Sequence, residues 1–233
     1  MQVKEKYFDN KYFQNNGQSG DRLALRFYFE LVKKLVKPGQ KILDFGCGEG
    51  FLINKFNQNY KTYAYDISSY CRNKVKLLSK KIVVLEEFNE SLSLNLDFII
   101  SLHTLEHVPN PEVILQQFHK NLNSSGKLLF VVPNPEGLGR KIKKHKWFAY
   151  GDKTHIMMLP PITWRELLHK SGFKIEKESS DGLWNTPYLP FLPNIIQKLI
   201  FYPSAGIQVI LKKLILPGWI GEDSIFVCSK FRE

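Results

Sequence analysis

His103, Glu106 and His107 stand close together in His103-Thr104-Leu105-Glu106-His107, and His155 follows downstream in Asp152-Lys153-Thr154-His155. Imidazole titrates near neutral pH, so histidines beside a carboxylate suit a general base, a set of metal ligands, or struts that hold a loop. Positions 103, 106 and 107 are spaced i, i+3, i+4, which puts their side chains on one face if the segment makes a helical turn. A site of His103, Glu106, His107 and His155 would be softer than the all-oxygen shell that magnesium takes.

The second concentration of chemistry is Ile42-Leu43-Asp44-Phe45-Gly46-Cys47-Gly48-Glu49-Gly50, a strand running into a glycine-rich turn and then a helix. Glycines let the backbone bend sharply and let a ligand approach its N–H groups. A dinucleotide fingerprint needs glycine where Phe51 stands, and no Lys-Ser or Lys-Thr follows as in a phosphate loop. The remaining pattern, DxGxGxG, suits a ligand without phosphates. Asp66 lies 22 residues past Asp44, at the end of the second strand. An acid about twenty residues beyond the first strand is placed to accept both hydroxyls of a ribose. Ile67 beside it would cover one face of a purine. A purely local reading has Asp66 capping the helix that follows.

The elements that must position these residues alternate along the chain. Strands are predicted at Lys41–Phe45, Thr62–Tyr65, Ile82–Leu85, Leu96–Ile100 and Lys127–Val132. Helices are predicted at about Gly50–Asn57, Ser69–Ser79, Pro111–Leu122 and Ile162–Ser171, after an amphipathic helix on Leu23, Phe27, Leu31 and Leu35. Phe173–Glu178 and Ser224–Lys230 alternate as a late antiparallel pair would. The expected fold is α/β: a Rossmann-like, doubly wound, seven-stranded and mostly parallel sheet with a late antiparallel strand. A single domain is expected over 1–233. It comprises an N-terminal helical cap (1–40), a cofactor-binding core (41–178), an apolar helical insertion (183–222) and the last strand (223–233). The 233 residues carry 33 Lys+Arg against 22 Asp+Glu, a net +11, which favours anionic partners. Three distant cysteines argue against a disulfide framework, and the first ten residues hold no apolar signal-peptide core. A cytoplasmic location follows as the expectation, with peripheral membrane contact as an alternative.

In LDFGCGEG, the Asp66 strand end, Asp97–Val108 and Val132-Pro133-Asn134-Pro135, the sequence resembles the class I S-adenosylmethionine-dependent methyltransferases. The likeness is greatest to the branch with ubiquinone-biosynthesis O-methyltransferases and small-molecule and sugar methyltransferases, and it covers roughly Lys41 to Glu178. It implies S-adenosylmethionine as cofactor. Asp44 and the backbone of Gly46, Cys47, Gly48 and Gly50 would hold its methionine end, and Asp66 and Ile67 its ribose and purine. Glu87, or Glu86 if the alignment slips, would reach the adenine amino group, with the Phe88 N–H near a ring nitrogen. Ser101 and Leu102 would line the sulfonium. His107 and His155 are the expected catalytic residues. Some members bind a divalent cation through ExxEH and a distant histidine. Here His103 replaces the first glutamate, so a cation on His103, Glu106, His107 and His155 is the less favoured alternative.

The expected reaction is O-methylation of a small molecule, sugar or lipid-linked acceptor. Base N-methylation is disfavoured because its Asn-Pro-Pro-aromatic motif is replaced by Ser101-Leu102-His103-Thr104. Pyrimidine C-methylation is disfavoured because no cysteine maps to the pocket. The alternatives are RNA methylation of the 2′-O type, with nucleic acid the less favoured partner, and a non-catalytic cofactor-binding protein. Arg140–Lys146 places five positive charges in seven residues, either a solvated run or a site for an anionic substrate or membrane surface. Between Gly182 and Gly221 there is no acidic residue, and five of the twelve prolines fall there. Stripes at Ile195, Ile196, Leu199 and Ile200 and at Ile207, Ile210, Leu211, Leu214 and Ile215 predict two short helices. Their apolar faces would pack on their own domain, on a second subunit, or in a bilayer surface.

Overall fold

A computed structural model describes residues 5–15, 20–89 and 91–231. Residues 1–4 and 16–19 of the expected N-terminal cap lie outside them. The cap contributes α1 (Asn10–Asn15) and α2 (Leu23–Lys33). Then come β1 (Lys41–Phe45), α3 (Phe51–Asn54), β2 (Lys61–Tyr65), α4 (Ser69–Leu78), β3 (Val83–Val84) and β4 (Leu96–Leu102). The second half holds α5 (Pro111–Asn121), β5 (Leu122–Pro133), α6 (Leu138–Lys143), α7 (Phe148–Gly151), α8 (Pro161–Lys170), β6 (Phe173–Ser180), α9 (Asn194–Leu211) and β7 (Asp223–Lys230).

The seven strands form one sheet in the order β3-β2-β1-β4-β5-β7-β6. β1 through β5 pair in parallel, and β7 runs antiparallel between β5 and β6. Successive side chains on a strand point to opposite faces, so the apolar runs feed two cores. Leu129 and Val131 of β5 join Phe27, Leu31, Ile42 and Ile100 on one face. Leu128, Phe130 and Val132 join Leu43, Ile99, Trp164 and Phe226 on the other. The chain order reverses beside β1, whose neighbours are β2 and β4, and the C-terminal ends of strands at such a reversal are where open α/β sheets take their ligands.

The predicted parallel sheet with its late antiparallel strand is therefore present, with shifts at element ends. α3 stops at Asn54 rather than Asn57, because the N–H groups of Lys55, Phe56 and Asn57 donate to carbonyls three residues back and tighten the chain into turns.

The apolar segment departs further from expectation. In place of two short helices it holds one, α9, which continues through Pro203. Two buried glutamines anchor the halves on either side of the proline. Gln197 accepts from the N–H groups of Tyr188 (2.6 Å) and Leu189 (2.9 Å) and donates to the carbonyls of Leu189 and Leu192 (both 2.7 Å). Gln208 accepts from Ile215 (2.6 Å) and Leu216 (3.0 Å) and donates to the carbonyls of Ser180 (2.9 Å) and Asp181 (3.2 Å). The helix ends at Leu211, so of the second predicted stripe only Leu214, beyond the helix, is buried.

Gln208→Leu is expected to lower stability by about 2–4 kcal/mol although it adds apolar volume, because four backbone groups lose their partners in a dry site. Thermal melting read beside the wild type checks this, and an unchanged midpoint would rule it out.

Candidate active site

Residues of the glycine loop leave β1 on conformations that side chains disfavour. Gly46, Gly48 and Gly50 have φ of +76°, +52° and +81°. At Gly46 a Cβ would also collide with Thr104, and at Gly50 it would lie 2.6 Å from Val75 Cγ2. The loop is tied to the end of β2: the N–H groups of Gly46 (2.8 Å) and Cys47 (3.1 Å) donate to the Tyr65 carbonyl. Gly48 N–H donates to Asp66 Oδ2 and Ser68 N–H to Asp66 Oδ1, both at 2.9 Å. Asp66 therefore braces the loop, while the cap of α4 is Ser68, whose Oγ accepts from Cys71 N–H at 3.4 Å; the Asp66 carboxylate keeps lone pairs for further donors. Ile67 next to it is exposed.

Asp44 is buried at the end of β1, and burial followed by the nearby Asp66 carboxylate pushes its pKa up to about 7. Burial raises Asp66 as well. Burial, reinforced by both carboxylates, keeps the Cys47 thiol protonated.

Beyond β3, Glu86 is held by Lys76 at 2.5 Å and Arg72 at 3.2 Å. Glu87 is exposed and accepts only from Asn89 (2.9 Å) among the described hydrogen bonds, which leaves it the freer of the two carboxylates. The Phe88 ring is buried against Phe45, Tyr65 and Phe118. Ser101, near the end of β4, is fully buried with its Oγ unpartnered among the described residues, and Leu102 is half-buried beside it.

The histidine cluster assembles differently from the helical turn that its spacing predicts. Only Leu105–His107 forms a short 3₁₀ turn, and His103 precedes it at φ +50°. Its N–H donates to the Val131 carbonyl at 2.9 Å, so His103 still follows the strand and its imidazole swings between two carboxylates. Nδ1 lies 3.6 Å from Glu106 Oε1 and Nε2 3.3 Å from Asp223 Oδ2. Burial opposes a charge on His103, but Asp223 and Glu106 outweigh it and raise its pKa well above the ordinary histidine value.

Glu106 is 1% exposed, and neither carboxylate oxygen receives a hydrogen bond among the described residues. Burial pushes its pKa up, yet the three surrounding histidines bring it below the usual carboxylate range. Its carbonyl accepts the N–H groups of Ile156 and Met157, both at 2.9 Å, which docks the distant loop on the turn.

That loop delivers His155. Its Nδ1 lies 2.7 Å from the Ala149 carbonyl, which only accepts, so Nδ1 carries the proton. His107 Nδ1 meets the Thr154 carbonyl (3.1 Å) and Thr154 Oγ1 (3.0 Å), whose own proton goes to Asp152 Oδ1 at 2.5 Å. Both contacts place a proton on Nδ1 and leave Nε2 without a hydrogen bond among the described residues, although His155 Nε2 lies 4.0 Å from Glu106 Oε1 and 3.9 Å from Asp152 Oδ2. The rings stand 4.7 Å apart, and burial first of all lowers the pKa of His107, which stays neutral. One ligand atom each from Glu106, His107 and His155 lies within 4.8 Å of the other two. His103 stands outside that trio. Nδ1 protons held by carbonyls are the usual second shell of metal-binding histidines.

Three contributors carry no spacing signal. Tyr12 donates to Asp152 Oδ2 at 2.8 Å across 140 residues, Thr154 sets the His107 tautomer, and Asp223 comes from the last strand. Phe8 packs edge-on against His107, so the N-terminal segment roofs the cluster.

The Methyltransferase domain family model matches residues 20–178, more than half of the chain. An N-methyltransferase 4 of Papaver somniferum is 28% identical over 134 residues, 52% of this chain and 38% of the relative, so the chain spans well under half of that protein. A ubiquinone biosynthesis O-methyltransferase of Idiomarina loihiensis is 26% identical over 170 residues, 66% of this chain and 69% of the relative. The methyltransferase solved with the Trm112 methyltransferase activator of Haloferax volcanii has the same fold, with TM-score 0.71 and 13% identity over 99% of both chains.

The buried Asp44 makes stability depend on pH. Its folded pKa of about 7 exceeds the unfolded value of 3.8, so its ionisation opposes folding. The penalty is absent below pH about 4 and reaches about 4 kcal/mol above pH about 7. Asp44→Asn is expected to raise the melting temperature at pH 8, with the gain shrinking toward pH 4. A pH-independent difference between the two melting curves would contradict this origin.

Proposed function

This chain belongs to the class I S-adenosylmethionine-dependent methyltransferases, and on that premise we propose that it methylates a hydroxyl of a small-molecule, sugar or lipid-linked acceptor. The observation that carries the reading is the pair His107 and His155, each with Nδ1 tied to a backbone carbonyl and Nε2 without a hydrogen bond among the described residues. A hydroxyl needs a proton acceptor when it attacks carbon, and a neutral Nε2 supplies one.

The residues around the glycine turn fit the cofactor: Asp44 is buried with a raised pKa that a cationic group would relieve, and Ser101 Oγ is buried without a partner among the described residues. When bound, S-adenosylmethionine supplies a methyl group activated by its sulfonium, and the residues' work is to hold the reactants in line. Asp66 accepts the ribose hydroxyls on lone pairs not used by Gly48 and Ser68. Glu87 receives the adenine amino group, since Glu86 is committed to Arg72 and Lys76, and Ile67 covers the ring. Asp44 sits where a cationic methionine end would draw its raised pKa back down. Ser101 and Leu102 stand at the end of β4, between cofactor and acceptor. The acceptor's proton passes to Nε2 of His107 or His155 as the oxygen takes the methyl group.

The same residues have a second reading, favoured by the orphaned carboxylate of Glu106. A divalent cation on Glu106, His107 and His155 fits this donor set and would polarise the acceptor oxygen as a Lewis acid. His103 then stays with Asp223 rather than serving as a ligand.

Asp66→Ala is expected to weaken cofactor binding at least tenfold by calorimetry; unchanged affinity would remove Asp66 from the site. His107→Ala and His155→Ala should keep cofactor affinity while methyl transfer falls about 10²–10⁴-fold. Because the pKa of His107 is lowered, wild-type activity should persist below pH 6.5 and fail only as the ring protonates. Chelator separates the two readings: a cation site loses activity and regains it with added metal, while a lone base is indifferent. Near-wild-type turnover in both alanine variants would reduce these histidines to structural parts.

A further inference from the structure

α9 is amphipathic in the inverted sense. Its inward face carries Gln197, Ala205 and Gln208, all buried. Its outward face carries Ile195, Ile196, Leu199, Ile200, Ile207 and Ile210, with Leu199 71% and Ile210 79% exposed. Just outside the helix, Phe191 is 75% and Trp219 61% exposed. The inward hydrogen bonds are complete, so this orientation is set by the backbone contacts of both glutamines and leaves a continuous apolar stripe facing water. Soluble surfaces rarely keep such a patch without an occupant.

The charges around it select the occupant. Residues 183–220 contain no acid, and their only charges are Lys198, Lys212 and Lys213. The basic turn adjoins the same element. Lys143 donates to the Asn185 carbonyl and lies 5.0 Å from the centre of the Tyr188 ring, and Tyr188 packs on Phe201 of α9. Lys141, Lys144 and Lys146 in that turn are exposed. A second copy docking on this stripe would bring like charges together with no acid in the segment to meet them. An anionic surface has complementary charge and an apolar layer beneath it.

We propose that the exposed face of α9 docks on an anionic lipid bilayer surface, inserting its isoleucine and leucine side chains among the acyl chains. Lys198, Lys213 and the basic turn meet the headgroups, and Trp219 sits at the interface, where indole is favoured. The helix lies on the bilayer and does not cross it: no helix among the described residues is long and apolar enough to span. The basic turn leaves the C-terminal end of β5, the edge that also holds the histidines, so docking turns the acceptor side toward the lipid. The proposal does not depend on the reaction, because binding is read without cofactor or acceptor.

The test is flotation of the full chain with vesicles of phosphatidylcholine alone or with phosphatidylglycerol at about one third of the lipid. Wild type should bind the anionic vesicles at least tenfold more tightly than the neutral ones and lose that preference in high salt. Leu199→Glu/Ile210→Glu should reduce anionic-vesicle binding at least tenfold with an unchanged melting curve. If that pair misfolds, Leu199→Ser/Ile210→Ser should show the same loss. Absence of wild-type binding, equal binding to both vesicle types, or full binding by a folded variant would each overturn the proposal. So would light scattering that shows a stable dimer, abolished by these substitutions, in a protein that ignores vesicles.

Discussion

A carboxylate sealed from water must find positive charge or donors, and Glu106 receives no hydrogen bond on either oxygen among the described residues. Of the three imidazoles around it, His103 alone answers with positive charge, its Nδ1 3.6 Å from Glu106 Oε1. His103 arrives on an unfavourable left-handed backbone and is kept protonated between Glu106 and Asp223. His107 and His155 come to the same carboxylate from the turn and from the loop after α7. Much of the local architecture serves this arrangement. The Glu106 carbonyl docks residues 156 and 157, Thr154 and Asp152 set the tautomer of His107, and Tyr12 reaches over from the N-terminal segment to Asp152. The cluster is thus a junction of four chain segments, and its chemistry depends on their meeting.

The same tension between burial and charge recurs where β1 and β2 end. Asp44 and Asp66 are both buried, both raised, and close enough to oppose each other. That is an expensive way to finish two strands if the only aim is stability. It becomes intelligible if a cationic ligand neutralises the pair, since perturbed carboxylates in a crevice mark functional sites more often than structural ones. A third acidic group, made of Asp181, Glu222 and Asp223, lies behind the histidines. There burial raises Asp181 and Glu222, and Trp147 and Tyr188 donate to Glu222. This group joins β7 and the residues after β6 to Trp147 at the start of α7.

Against these buried charges, α9 stores the opposite mismatch: polar side chains inward and apolar ones outward. The two glutamines cap backbone groups of the irregular segments before and after the helix, and no aliphatic side chain substitutes for them. Their hydrogen bonds dictate the helix's rotation, and the hydrophobic stripe is left to follow.

Particular residues separate what was legible in the sequence from what was not. The strand bounds of Lys41–Phe45, the switch from strand to glycine turn to helix, and Asp66 at the next strand's end are local patterns with local causes, and the structure reproduces them. Seven strands with a late antiparallel member follow from periodicity in the same way. The i, i+3, i+4 spacing of His103, Glu106 and His107 was less reliable, because a hydrogen bond to Val131 on the neighbouring strand keeps His103 out of the helical turn. The stripe at residues 207–215 correctly showed an amphipathic segment, but periodicity carries no sign: it cannot say which face looks inward. By itself the sequence determined the fold class, and it offered the glycine loop and the histidines as candidates. Only the tertiary structure decided which histidine is charged, which ring nitrogens carry the proton and which side of α9 meets water. Each of those depends on partners such as Asp223, Thr154 and Ser180, which lie tens of residues away and which local propensity does not see.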